Sequence, residues 1–89
     1  MRESEVERYL VASVKAMSGE CRKARWVDRN GAPDRMVMLP EGRLIFIELK
    51  APGKRCQPHQ IREHERMRRM GQRVEVVDSF ERVDEVLNG

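Results

Sequence analysis

Aromatic side chains are scarce in this chain, with one Trp, one Tyr and two Phe among 89 residues. Aromatic stacking on bases is therefore not expected as a binding strategy. Cys21 and Cys56 are the only cysteines and form no CxxC pair, so neither a disulfide framework nor a thiolate zinc site is encoded. Both are expected to be reduced thiols in a cytoplasmic protein. No stretch approaches the ~18 apolar residues of a membrane span, and no charged-then-apolar leader opens the chain. Secretion and a membrane partner are not expected. Read as one domain over residues 1–89, so short a chain buries a modest fraction of its surface. Without bridges or structural zinc, self-association is the expected supplement.

Charge is what the chain has in quantity, at 37% of residues with a net +3. It is unevenly spread: residues 22–73 carry a net +8, against −1 for residues 1–21 and −4 for residues 74–89. A basic middle of this kind suits a phosphate backbone, although a solvated charged surface has the same composition.

Apolar spacing orders the elements. Val6, Leu10, Val14 and Met17 recur at helical intervals and predict an amphipathic helix over residues 3–17, closed by Gly19. Cys21–Val27 reads as a strand. Met36–Leu39 and Arg43–Lys50 read as a hairpin about Pro40, Glu41 and Gly42. Gln57–Met70 has helix formers with Pro58 tolerated in the first turn, and Gly71 stops it. Gln72–Val77 reads as a last strand, followed by a short helix through Leu87 that Ser79 can cap. The order is αβββαβα.

A three-residue hairpin loop sets Asp34 opposite Glu48, Met36 opposite Phe46 and Met38 opposite Leu44. Lys50 shares the face of Glu48, while Val37, Ile45, Ile47 and Leu49 line the other. A loop of two or four residues, or a bulge, would turn one strand over and part the carboxylates. Both faces are apolar over most of their length, which implies a sheet covered on both sides. Facing carboxylates are destabilising unless neutralised, and a divalent cation does that. Two hard oxygen ligands and an ammonium suit phosphodiester hydrolysis with Mg²⁺ or Mn²⁺.

Gly31-Ala32-Pro33-Asp34 followed by Glu48-Leu49-Lys50 on an apolar strand resembles the PD-(D/E)xK nuclease superfamily. The helix with Glu3-x-x-Val6-Glu7, the Glu-Leu-Lys-Ala-Pro-Gly-Lys run over residues 48–54 and the following Gln60 resemble more closely its virus-type replication-repair nuclease (VRR-NUC) group. From 11 Glu and 4 Lys, an ExK triplet arises about 0.5 times by chance, so the combination carries the resemblance.

The resemblance implies an α/β, restriction-endonuclease-like αβββαβ core, with a mixed central sheet, helices on both faces and a short C-terminal helix. It implies Asp34, Glu48, the Leu49 carbonyl and Glu7 as metal ligands, Glu7 reaching the site directly or through water, with Glu3 as the fallback for Glu7. Lys50 would be the catalytic lysine, and Gln60 would orient it or the attacking water. Lys54, Arg55, Arg62, Arg66, Arg69 and Arg73 follow the site and are candidates to hold DNA phosphates. His59 is a further candidate phosphate contact, His64 a surface residue, Met67 and Met70 packing residues, and Trp26 a core or dimer-interface residue. The expected activity is that of a Mg²⁺- or Mn²⁺-dependent DNA endonuclease, acting as a homodimer on branched DNA such as a four-way (Holliday) junction. Its setting would be the cytoplasm of a bacterial or phage-infected cell. No base-reading module is visible. The alternatives are a non-catalytic basic DNA-binding module, and an interaction protein whose Asp34 and Glu48 merely cap the hairpin.

Overall fold

A computed structural model describes all 89 residues. Helix α1 (Glu3–Ala16) leads to β1 (Glu20–Lys23), β2 (Arg35–Leu39), β3 (Arg43–Leu49), α2 (Pro58–Arg69), β4 (Val74–Val77) and α3 (Phe80–Asn88). The four strands form one sheet in the order β1-β2-β3-β4, with β1, β2 and β3 antiparallel and β4 parallel to β3. No helix is long and apolar enough to cross a membrane.

Alternation along β2 and β3 divides the two faces. Val37, Leu39, Ile45, Ile47 and Leu49 point to one side, where Val6, Leu10 and Val14 of α1 and Val83, Val86 and Leu87 of α3 complete the core. Tyr9 stacks on Phe80 at 4.4 Å between ring centres, and its hydroxyl donates to Asp84 at 2.7 Å, joining α1 to α3. Helix α2 covers the other face with Glu63, His64 and Met67 buried. Helices thus lie on both faces of a mixed sheet.

The hairpin loop has three residues. Pro40–Gly42 form a 3₁₀ turn in which Glu41 and Gly42 take φ of 68° and 74°. Met36 accordingly pairs with Phe46 and Arg35 with Ile47, and the same register carries Asp34 to Glu48.

Beyond shifts of a single residue, three features differ from the sequence-based expectation. Strand β1 stops at Lys23 instead of Val27, continuing only through Ala24 N–H donating to the Asp34 carbonyl at 3.0 Å. The next bonded pair of that ladder would be Trp26 and Ala32, and it is not formed. Strand β4 begins at Val74, two residues after the expected Gln72. At the end of α1, Ser18 and not Gly19 adopts the left-handed conformation, with φ of 62°. Gly19 is needed for space, because a Cβ there would lie 2.6 Å from the Met38 carbonyl oxygen and 2.8 Å from Leu39 Cδ2.

Arginines complete the outer edge of the sheet. Arg68 Nη2 donates to the Val74 carbonyl at 2.8 Å and Arg82 Nε to the Val76 carbonyl at 3.2 Å. Those are the β4 carbonyls turned away from β3, since the Arg73 and Val77 carbonyls accept from Phe46 and Lys50 N–H.

Candidate active site

Asp34 enters from the turn before β2, Glu48 and Lys50 from the end of β3, and Gln60 from the first turn of α2. Leu49 N–H donates to Asp34 Oδ2 at 2.8 Å, which ties the carboxylate to the strand bearing Glu48 and Lys50. Gln60 links the rest. Its Oε1 accepts from Lys50 Nζ at 3.0 Å and from Gln57 N–H at 2.8 Å, and its Nε2 donates to Glu48 Oε2 at 3.1 Å. With the oxygen taking two donors, the amide orientation is fixed. Gln60 therefore caps its helix and holds the site in one side chain. Lys50 Nζ lies 3.5 Å from Glu48 Oε2.

Glu48 is 1% exposed, and its Oε1 has no hydrogen-bond partner. Burial first, then the charge of Asp34, push its carboxyl up to about 8, only partly opposed by Lys50. Buried His64 puts Nε2 3.5 Å from that oxygen and is likewise without a partner. Burial, then the charge of Arg68, lower its basicity.

Glu7, expected as a metal ligand, is not brought to this cluster. It lies on the core side of the sheet, its Oε2 2.9 Å from Arg35 Nε, because Arg35 is one residue beyond Asp34 and so points to the opposite face. Glu3 is exposed in the first turn of α1, and no group of three or more His, Cys, Asp or Glu side chains is placed to hold a metal ion.

Of the six basic residues expected to face DNA, Lys54, Arg55, Arg62 and Arg69 are exposed. Arg66 is drawn to Glu63, with Nη2 to Oε1 at 2.8 Å. Arg73 binds Glu75 at 3.0 Å and the Val86 carbonyl at 2.9 Å. Both guanidinium groups are thus held within the fold. His59 is exposed.

The sequence pattern assigns His64 to the surface and gives Glu63 no role, yet both are buried. Glu63 Oε2 accepts from Trp26 Nε1 at 2.8 Å, and Gly31 packs so closely that a Cβ there would lie 2.8 Å from Glu63 Cβ. The signal was their spacing, since Gln60, Glu63, His64 and Met67 occupy the i, i+3, i+4, i+7 stripe of α2 that faces the sheet. Met67 packs there as expected, whereas Met70 is 80% exposed because the helix ends first.

Known proteins of similar sequence and fold are nucleases or nuclease domains by name. A putative nuclease, p44, from Acyrthosiphon pisum secondary endosymbiont phage 1 is 44% identical over 79 residues, covering 89% of this chain and 85% of that one. A solved structure described as a VRR_NUC domain superimposes with a TM-score of 0.90 at 41% identity, covering 97% of this chain and 94% of the other. The family pattern of the VRR-NUC domain matches residues 4–81, and the chain belongs to that family of PD-(D/E)xK-like nucleases.

Proposed function

We propose that the protein is a divalent-metal-dependent DNA endonuclease, and that Asp34, Glu48, Lys50 and Gln60 are its working residues. The observation that carries this reading is the continuous linkage of Lys50, Gln60 and Glu48 with Asp34 alongside. A basic phosphate-binding module would gain nothing from two carboxylates held there.

The donor set fits a hard cation. Glu48 presents a buried oxygen without a partner, and its carboxyl is held high by burial and by Asp34, a cost that positive charge between the two would relieve. Asp34, Glu48 and the Leu49 carbonyl would hold Mg²⁺ or Mn²⁺, leaving further positions to water and phosphate oxygens. Such an ion supplies Lewis acidity at the phosphate and a more acidic bound water. Glu7 is omitted because it pairs with Arg35 and forms no cluster with Asp34 and Glu48.

The protein's own groups do the rest. Lys50, 15% exposed at its side chain, offers an ammonium to charge growing on the phosphate oxygens. Gln60 accepts from that ammonium and donates to Glu48, which holds both side chains in place. Lys54, Arg55, Arg62 and Arg69 supply the exposed charge that engages the DNA backbone.

The substrate we favour is branched DNA such as a four-way junction, cut by a homodimer in a bacterial or phage-infected cell. Its support is the exposed basic charge that follows the site and the similarity to a putative nuclease of a phage. The test is cleavage of labelled duplex, flap, splayed-arm and four-way-junction DNA in Mg²⁺ and Mn²⁺, with Lys50→Ala alongside. Chelator-sensitive cutting by the wild type alone is expected. Equal binding by both proteins with no cutting of any substrate would instead favour the DNA-binding module.

A further inference from the structure

Two of the four aromatic residues meet on the site's face of the sheet. Trp26 and Phe46 lie edge to face, 6.2 Å between ring centres and inclined by 63°. They wall an open groove of about 420 Å³ beside the second half of α2, where Met67 and Met70 complete the apolar lining. Phe46 precedes Glu48 by two residues on the same face of β3, about 7 Å along the strand. The indole is anchored by its bond to Glu63. Around the groove stand Arg69, which is exposed, and Arg29 and Arg66, which both pair with Glu63, at 3.6 and 2.8 Å.

We propose that this groove receives one unpaired nucleobase of the DNA, next to the phosphate being cut. The inference rests on the nuclease reading and adds a subsite to it. Aromatic and thioether walls suit the π-face of any base, and arginines at the margin suit its flanking phosphates. The same charge argues against a second copy as occupant, since a twofold contact would bring these arginines against one another. A bound base there selects substrates by the presence of unpaired nucleotides and not by sequence. Pairs at the crossover of branched DNA open more readily than those of intact duplex, and so supply such a base at lower cost.

Trp26 is the only tryptophan, so its emission reports directly on the groove. Lys50→Ala protein in Mg²⁺ is titrated with four-way junctions that carry an abasic sugar, one position at a time, around the branch point. The intact junction is expected to quench Trp26, and at one position loss of the base should remove the quench and weaken binding about tenfold. Met70→Glu, at an exposed site in the groove, should lose both effects. Ile61→Glu, 45% exposed on the same helix and outside the groove, should keep them at equal charge change. Indifference to every abasic position, or equal behaviour of the two variants, overturns the proposal. So does a Met70→Glu protein that falls from dimer to monomer while keeping base dependence, which would make the groove a contact between copies. Base-dependent quenching without Mg²⁺-dependent cleavage by the wild type supports the subsite and refutes the nuclease. Cleavage without base dependence does the reverse.

Discussion

Glu48 is the residue on which stability and catalysis disagree. Its carboxyl is held near 8 in the fold against an ordinary value near 4.5, so the folded chain retains a proton that the unfolded chain has released. The unfolded state binds fewer protons in that window, and metal-free stability should therefore fall as pH rises from about 4.5 to about 8. Glu48→Gln removes this dependence. Its melting temperature at pH 8 should exceed that of the metal-free wild type by roughly 4–8 °C if about 1 kcal/mol of the penalty is realised. Thermal melts at pH 5 and pH 8 check this, and an unchanged pH slope in Glu48→Gln would refute it. Added Mn²⁺ should raise the wild-type melting temperature, and Asp34→Ala should abolish that rise, because only converging carboxylates bind the ion in the native state alone. Lys50→Ala should cut cleavage by about 10²-fold or more while leaving DNA affinity nearly unchanged, measurable by single-turnover kinetics and a binding titration. The acids and the lysine were legible in the sequence because strand alternation and a three-residue loop suffice to pair positions 34 and 48. His64 was not, because polarity alone argued for the surface, and only the packing of α2 shows that polar groups fill its inward stripe.

At the scale of the element, helix ends divide the legible from the hidden. Gly71 after α2 and Ser79 before α3 behave as their residue types suggest, with Ser79 Oγ accepting from Arg82 N–H at 3.1 Å. Ser79→Ala should cost about 1 kcal/mol. The end of α1 reverses expectation, since Ser18 bears the positive φ and Gly19 the crowding. Ser18→Gly should thus leave stability unchanged or raise it by a few tenths of a kcal/mol, whereas Gly19→Ala should lose roughly 1–3 kcal/mol through overpacking against Met38 and Leu39. Urea melts of the two variants distinguish these roles, and a larger loss at Ser18 would contradict them. Sequence spacing could not assign them, because it is the approach of β2 that decides which residue has no room for a Cβ.

Over the whole molecule, the basic middle of the chain divides into groups that hold the fold and groups free for a partner. Replacing Lys54, Arg55, Arg62 or Arg69 by Ala should weaken binding on all DNA sequences and lower the dependence of log affinity on log salt by about one unit for each phosphate no longer engaged. Arg73→Ala should instead lower the melting temperature, because its guanidinium joins β4 to α3. Salt titrations beside thermal melts separate the two groups. The number of arginines is plain in the sequence, but which of them stay free depends on where Glu63, Glu75 and the strand carbonyls lie after folding. The arginines that occupy the outer carbonyls of β4 have a further effect on how copies of the chain can meet. A sheet grows by adding strands at its rims, and one rim here has already spent its acceptors on Arg68 and Arg82. A further strand therefore meets fewer open acceptors at β4 than at β1, and two copies joined through β1 would turn their arginine-covered rims outward.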